Sequence, residues 1–288
     1  MSGLPGAILY LILAPVAGGL LAGVDRIISA RMQSRVGPPV FQPFYDVLKL
    51  MSKRPIVVNN FINFYVTCFL VFVVVSGGIF FSGGDVLLCI FALTVGAIFL
   101  VLAGYAPNSP YSNIGAEREL LQMMAYEPML LISAMGMYVV VGSFHVHDIM
   151  RYREGLVTYL PLIFLGFLFV LTIKLRKSPF DLSTSHHAHQ ELVKGLTTEF
   201  SGPTLATVEV AHWYENVLLL GFVYLFFAAW SPAVALVAVL VTYLFEVLID
   251  NVYARLTWKL TVRSSWVAAG VLGAINLLAV FYMFRGHL

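Results

Sequence analysis

Residues 174–202 read KLRKSPFDLSTSHHAHQELVKGLTTEFSG and form the longest polar interruption in an otherwise apolar chain. The segment holds three lysines, one arginine, three histidines, three acidic residues, a proline and two glycines. It cannot face lipid, because its backbone and charged groups would lose water without replacement. We therefore expect it in water, within protein or at the mouth of a cavity. It serves there either as a solvated connecting loop or as a surface that docks a partner and handles protons.

The composition around this segment is that of an integral membrane protein. Of the 288 residues, 60% are hydrophobic and only 11% are charged, and the mean hydropathy is +0.88. Soluble domains carry roughly 25% charged residues. Because a bilayer core needs about 20 apolar residues per helix, the length predicts an all-α protein with about eight spans in a single membrane domain, residues 1–288.

Apolar runs and the polar breaks between them place the predicted spans. We expect them at about 4–24, 61–81, 86–105, 119–142, 157–173, 204–229, 233–250 and 265–284. A short amphipathic helix is predicted at the membrane interface from Phe44, because Val47, Leu48, Leu50 and Met51 recur at helical spacing. The polar connections on one side of the membrane are then 25–60, 106–118, 174–203 and 250–264.

The basic residues are distributed unevenly between the two sides. The four connections just given carry 14 of the 17 lysines and arginines, and the opposite side carries Arg151, Arg153 and Arg285. By the positive-inside rule the four connections face the cytoplasm. Since eight spans put both ends of the chain on one side, both termini are expected on the outer side of the cytoplasmic membrane.

Nothing in the sequence predicts a cofactor held by this chain. Cys68 and Cys89 lie in separate apolar runs without C-x-x-C spacing, which favours packing residues over an iron–sulfur or zinc site. The histidine-rich group lacks the H-E-x-x-H spacing of a zinc helix; it comprises His186, His187, His189 and Glu191. No metal site is therefore predicted. No nucleic-acid binding is predicted either, because the basic residues follow membrane sidedness.

Acidic residues within or near the spans are the strongest signal for chemistry. Ionisable groups in a span are costly and mark a proton or ion path by default, although a carboxylate that only fixes helix packing is the alternative at each position. Glu246 and Asp250 share a helix face at a spacing of four. The full set of proton-path candidates is Glu127, Asp181, His189, Glu199, Glu209, His212, Glu215, Glu246 and Asp250.

A second prediction concerns partner docking. The segments 26–54 and 174–202 are both polar, lie on the same side and are broken by Pro and Gly, so we expect them to fold together as one docking surface. Its basic groups are suited to pair with a partner's acids. The docking candidates are Arg31, Arg35, Asp46, Lys49, Arg176, Asp181, His186, His187 and Glu191.

Several motifs, taken in order, resemble a known family. Four motifs resemble the membrane subunit of respiratory complex I at the peripheral-arm junction. They are ARMQSRVGPP followed by QP, D and KL in residues 30–50, AYEPMLLI at 125–132, SPFDL at 178–182 and TEFSG at 198–202. The segments AHQELV at 188–193 and DNVYARLTW at 250–258 are instead similar to group 4 NiFe hydrogenases of the Ech type. At His212 the complex I subunit typically has Glu, which argues against a quinone reductase.

The resemblance implies a ferredoxin-linked, energy-converting NiFe hydrogenase. By that resemblance, hydrogenase large and small subunits hold the NiFe centre and 4Fe–4S clusters, and this chain anchors them and contacts an antiporter-like membrane subunit. Ferredoxin is reached through the complex, and H⁺ or Na⁺ is translocated. The alternatives are the equivalent subunit of a quinone-reducing relative of complex I and a stand-alone secondary transporter. The transporter is disfavoured because the two halves of the chain do not match each other.

Overall fold

The computed structural model describes residues 3–56, 59–183 and 194–284, and over these ranges the regular elements are helices. The helices are α1 Leu4–Met32, α2 Gln42–Met51, α3 Asn60–Phe81, α4 Val86–Tyr105, α5 Pro110–Val141, α6 Val146–Arg151, α7 Leu156–Tyr159, α8 Pro161–Lys174, α9 Pro203–Phe227, α10 Pro232–Val252, α11 Trp258–Ala268 and α12 Ile275–Phe284. A 3₁₀ turn occupies Gly195–Thr197, and a π-helical segment, Ala269–Ala274, joins α11 to α12.

Within the described ranges, seven helices are long and apolar enough to cross a membrane. They are α1, α3, α4, α5, α9, α10 and the continuous Trp258–Phe284 helix that contains α11 and α12. The predicted fifth span corresponds to α7 and α8, and α8 is an apolar helix of only 14 residues. The number of eight spans and the outer position of both termini therefore stay predictions.

The break between α7 and α8 is closed by a side chain from α12. The amide oxygen of Asn276 accepts hydrogen bonds from the backbone N–H groups of Leu162 and Ile163, at 3.1 Å each. Its amide nitrogen donates to the Tyr159 carbonyl at 3.0 Å. Backbone groups within a bilayer need a partner because no water replaces it. Asn276 thus supplies the bonds that a continuous helix would have made here.

Several predicted helix ends are corrected by the structure. The first span continues past Asp25 to Met32, α5 begins at Pro110 rather than 119, and α11 begins at Trp258 rather than 265. The predicted connections 106–118 and 250–264 are accordingly much shorter. Charged residues end an apolar run without ending a helix, since Arg, Lys and Glu are good helix formers. The amphipathic helix predicted from Phe44 is α2, which buries Pro43 and Val47.

The connections after the first, third and fifth predicted spans meet at one end of the helix bundle. Ser201 bonds both the N–H and the carbonyl of Ile56 through its hydroxyl, at 3.0 Å each, and Asn59 donates to the Ala106 carbonyl at 2.8 Å. The 3₁₀ turn fits closely on α5, because a Cβ at Gly115 would lie 2.1 Å from the Leu196 nitrogen. This end of the bundle positions the polar residues of the site.

Candidate functional site

A buried ion pair joins the end of α8 to α9. The Lys174 ammonium lies 2.8 Å from the Glu215 carboxylate, and the two side chains are only 4% and 6% exposed. The same ammonium lies over the Tyr126 ring, 4.2 Å from its centroid. The second oxygen of Glu215 lies 3.2 Å from Nδ1 of His212. Each oxygen of this interior carboxylate therefore has a partner, as a buried charge requires.

A second ion pair extends this group toward the loop after α8. Arg176 donates from its guanidinium to Oε1 of Glu119 at 2.8 Å. Burial alone would lower the pKa of Arg176, but the neighbouring charges of Glu119 and Glu215 outweigh burial and raise it. We call these residues the central cluster; it comprises Glu119, Tyr126, Lys174, Arg176, His212 and Glu215.

A different arrangement lies where the loop after α8 meets the ends of α1 and α10. The Lys177 ammonium pairs with Asp25 and lies 3.4 Å from Asp250. Asp250 also accepts a hydrogen bond of 2.8 Å from the backbone N–H of Ser178. One cation thus serves two carboxylates, which are 21% and 29% exposed and so remain within reach of water.

Glu246 lies one helical turn before Asp250 on α10. The residue is fully buried, at 0% exposure, and neither carboxylate oxygen has a hydrogen-bond partner among the described residues. A buried polar group without a partner calls for an explanation. Together with Asp25, Lys177 and Asp250, Glu246 forms what we call the lateral cluster.

The other predicted proton-path residues are less enclosed. Glu127, Glu199 and Glu209 are half-buried, and Glu209 influences Arg176 through its charge rather than through a hydrogen bond. Asp181 receives a hydrogen bond of 2.9 Å from Arg255, which ties the loop after α8 to the start of α11. His189 lies outside the described residues. The predicted stripe Glu209–His212–Glu215 is therefore in contact only at His212 and Glu215.

The predicted docking residues fall into three groups. Arg31, Arg35 and Lys49 are exposed. Asp46 is bound to Arg26 at 2.6 Å and Asp181 to Arg255 at 2.9 Å, and Arg176 directs its guanidinium inward to Glu119 rather than outward. His186, His187 and Glu191 lie outside the described residues.

Four charged residues of the two clusters are absent from the predicted site. Asp25, Glu119, Lys174 and Lys177 stand at the ends of the apolar runs, where they read as boundary residues. Their partners lie far away in sequence; Lys177 and Asp25, for example, are 152 residues apart. The signal in the sequence that could have indicated these pairs was a cation at the end of one apolar run and an acid at the end of another.

Metal-binding groups are not evident in the part of the chain that the structure describes. No cluster of three or more His, Cys, Asp or Glu residues suited to a metal ion occurs there. Cys89 is buried beside Ser76, whose hydroxyl lies 3.1 Å from the Cys89 sulfur. This environment is that of a packing residue.

Comparison with protein families identifies relatives along almost the whole chain. A family model described as NADH dehydrogenase matches residues 6–281. Hydrogenase-4 component C of Escherichia coli is 29% identical over an alignment of 296 positions, which covers 91% of this chain and 90% of that protein. A subunit of the NADH-quinone oxidoreductase of Geobacillus kaustophilus is 32% identical, and the alignment covers 80% of this chain and 74% of that protein.

A solved structure shares the fold. It is described as the membrane-bound sulfane sulfur reductase, an archaeal respiratory membrane complex; one of its chains superposes with a TM-score of 0.85 over 95% of this chain and 98% of its own. Its sequence identity is 23%. The relatives and the apolar helices confirm a multi-pass membrane protein, and the family match confirms the resemblance found in the sequence motifs.

Proposed function

The chain belongs to the NADH dehydrogenase family, and from that premise we propose that it is the membrane subunit of a ferredoxin-linked, ion-translocating NiFe hydrogenase complex. In this role it anchors a soluble module whose large and small subunits hold the NiFe centre and the 4Fe–4S clusters. It also contacts an antiporter-like membrane subunit. The chain docks its partners and passes protons between buried groups, and that transfer drives translocation of H⁺ or Na⁺.

Coverage of the relatives favours a hydrogenase over a quinone reductase. Hydrogenase-4 component C and formate hydrogenlyase subunit 4, both of Escherichia coli, align over 90% and 94% of their own lengths, whereas the NADH-quinone oxidoreductase subunit of Geobacillus kaustophilus aligns over 74%. The alignments thus extend over more of the hydrogenase subunits than of the quinone reductase subunit. The segments AHQELV and DNVYARLTW and the histidine at His212 support the same choice.

The observation that carries the coupling role is the buried pair of Lys174 and Glu215. Two charges withdrawn from water cost several kcal/mol each, and a hydrophobic pair of similar volume is often as stable. A pair of this kind is therefore weak support for fold stability and stronger support for chemistry. Since His212 contacts the same carboxylate, a proton reaching the imidazole changes the charge balance at Glu215 directly.

The proposed path runs from the loop end of the bundle toward a neighbouring membrane subunit. It is proposed to begin near Asp181, to include His189, which lies outside the described residues, and to pass Glu199 and Glu209 to the central cluster. Lys174, Arg176 and Lys177 are close neighbours in the chain, so the same short segment also contacts the lateral cluster. Glu246 and Asp250 on α10 would form the exit, with Glu127 as a further carboxylate on α5.

The docking surface is proposed at the same end of the bundle. Exposed Arg31, Arg35 and Lys49 lie in the connection 25–60, which contacts Ser201 through Ile56. Charge complementarity across such a surface mainly sets orientation and association rate. Reversing Arg31 and Arg35 to Glu is expected to release the soluble module at moderate salt. Reversal of the exposed Arg151, which lies at the opposite end, serves as the matched control.

A quinone-reducing relative of complex I is the second candidate, favoured by the 32% identity to the NADH-quinone oxidoreductase subunit of Geobacillus kaustophilus. Metal analysis of the intact purified complex separates the two. The proposal expects nickel together with iron and hydrogenase subunits that co-purify with this chain. A nickel-free complex that reduces quinone would contradict it, and a chain that leaves the membrane alone would point to a transporter.

A further inference from the structure

One oxygen of Glu119 makes no hydrogen bond within the described part of the chain. Oε1 accepts the hydrogen bond from Arg176, whereas Oε2 is buried and makes no hydrogen bond to any described residue. The side chain is only 8% exposed. Carboxylate oxygens buried in this way bind a donor, either from the protein or from an ordered water.

A cavity lies beside this carboxylate. Its volume is about 10 Å³, and its polar lining comes from Glu119, Gln122, Tyr126, Lys174, Arg176 and Glu215. A space of this size accommodates about one water molecule. The apolar part of the wall comes from Phe69, Ala97, Leu100 and Ile173. Both carboxylates of the central cluster, Glu119 and Glu215, thus border the same small space.

We propose that this cavity is a binding site for a single ordered water, which bonds Oε2 of Glu119 and connects that carboxylate to the pair of Lys174 and Glu215. The lining supplies both donors and acceptors, so the two to four hydrogen bonds that a buried water needs are available. The inference rests on the proposed function for its role. In that proposed function, the water makes Glu119 a further positioning residue of the path.

Charge and size favour water over an ion. The lining holds two carboxylates and two cations, which balance, so neither an anion nor a cation gains from the field. A sodium ion also requires several oxygen ligands, and the ammonium and guanidinium groups occupy part of the wall. A neutral guest that donates and accepts at once suits all six polar side chains.

The consequence for the path is a connection between two ion pairs on different helices. Arg176 with Glu119 and Lys174 with Glu215 are separate pairs without a direct bond between them among the described contacts. A water between the two carboxylates bonds to both and so joins α5 to α9. A proton that arrives at one carboxylate then has a hydrogen-bonded route to the other.

The test fills the cavity without changing a titrating group. Ala97→Val on α4 adds bulk to the apolar wall and displaces the water. Ala97→Ser keeps the volume nearly unchanged, and Ala92→Val makes the same change at a half-buried position on α4 outside the cavity. All three are measured in the intact complex by cryo-EM density at the cavity and by ferredoxin-driven translocation in vesicles, each normalised to hydrogen production with an artificial donor.

Density for one water is expected in the wild type and in Ala97→Ser, independent of sodium. In Ala97→Val the density is lost and translocation falls by about tenfold, since losing a hydrogen bond in the path raises its barrier by an amount of that order. The proposal is overturned by a wild-type cavity without density, by density that requires sodium, or by Ala97→Val translocating like Ala92→Val. A Glu215→Gln complex that still translocates fully contradicts the coupling path instead, whatever the cavity holds.

Discussion

The central and lateral clusters combine acids with basic side chains but differ in how completely the charges are paired. In the central cluster Glu215 and Lys174 are almost fully enclosed, and both oxygens of Glu215 are engaged. In the lateral cluster one lysine serves two partly exposed aspartates, and neither oxygen of fully buried Glu246 has a hydrogen-bond partner among the described residues. The comparison teaches that burial alone does not define a coupled group. The free-energy cost of removing a charge depends on the partner that the charge has in the folded protein.

The largest effect is expected from Lys174→Met. The substitution leaves Glu215 charged and without its cation in the interior, which costs about 3–5 kcal/mol. This loss of stability is measured by thermal unfolding of the purified complex in detergent. The double variant Lys174→Met with Glu215→Leu removes both charges and is expected to regain most of the lost stability. A single variant as stable as the wild type would mean that the pair is not enclosed as described.

Two matched carboxylates sharpen the comparison further. Glu215→Gln weakens a charge-assisted contact to Lys174 and is expected to cost about 2–3 kcal/mol. Glu246→Gln removes no ion pair among the described residues, so it is expected to cost less than Glu215→Gln. Both residues are buried, so burial is held constant while the partner changes. Equal losses for the two variants would show that Glu246 has a partner.

Lys177→Met is expected to have a smaller effect than Lys174→Met. Asp25 and Asp250 keep partial access to water, whereas Glu215 is almost fully enclosed, so losing the cation shared by the two aspartates is expected to cost less. The loss should shrink in high salt because solvent-exposed charges are screened. Unfolding curves at low and high ionic strength provide the measurement. A salt-independent loss as large as that of Lys174→Met would contradict the difference between the clusters.

Loss of the surface pair of Arg26 and Asp46 is expected to have the smallest effect on stability. Burial is the largest influence on Asp46 and would raise its pKa, but hydrogen bonds from Arg26 and Gln42 and the charges of Arg26 and Lys49 together lower it from 3.8. A lowered folded-state pKa means that the pair stabilises above pH 3.8 and that this contribution is lost as pH falls further. Asp46→Asn is therefore expected to be slightly less stable than the wild type at neutral pH and to match it at the most acidic pH. A gap that persists there would exclude an electrostatic origin.

The sequence predicted the helical membrane fold, and its candidate residues include members of both clusters, but it did not predict how the charged groups pair. Among the described residues, apolar runs placed each of the seven helices that are long and apolar enough to span a membrane within a few residues at its apolar end, because hydropathy is a local property. The corrected boundaries at Met32, Pro110 and Trp258 all involve charged residues, whose place in a helix depends on distant partners. Glu119, for example, is paired with Arg176, 57 residues away.

Glu215 and Glu246 looked equivalent in the sequence, since each is an acid within an apolar helix. The structure separates them because Lys174 reaches Glu215, while the described residues offer Glu246 no hydrogen bond. Lys174 could be read only as the basic end of a span. Spacing along one helix reveals a shared face, but it does not reveal which cation from another helix packs against that face.

The most direct test of the central claim is ion translocation by a Glu215→Gln complex. Ferredoxin-driven translocation into sealed vesicles is measured per hydrogen produced, with artificial-donor hydrogen production as the control for assembly. Translocation per hydrogen is expected to fall strongly while artificial-donor activity persists, because in the proposed complex the hydrogenase centre belongs to another subunit and the central cluster is proposed to carry the coupling. Full translocation per hydrogen in the assembled variant would contradict the account and reduce the central cluster to a packing element.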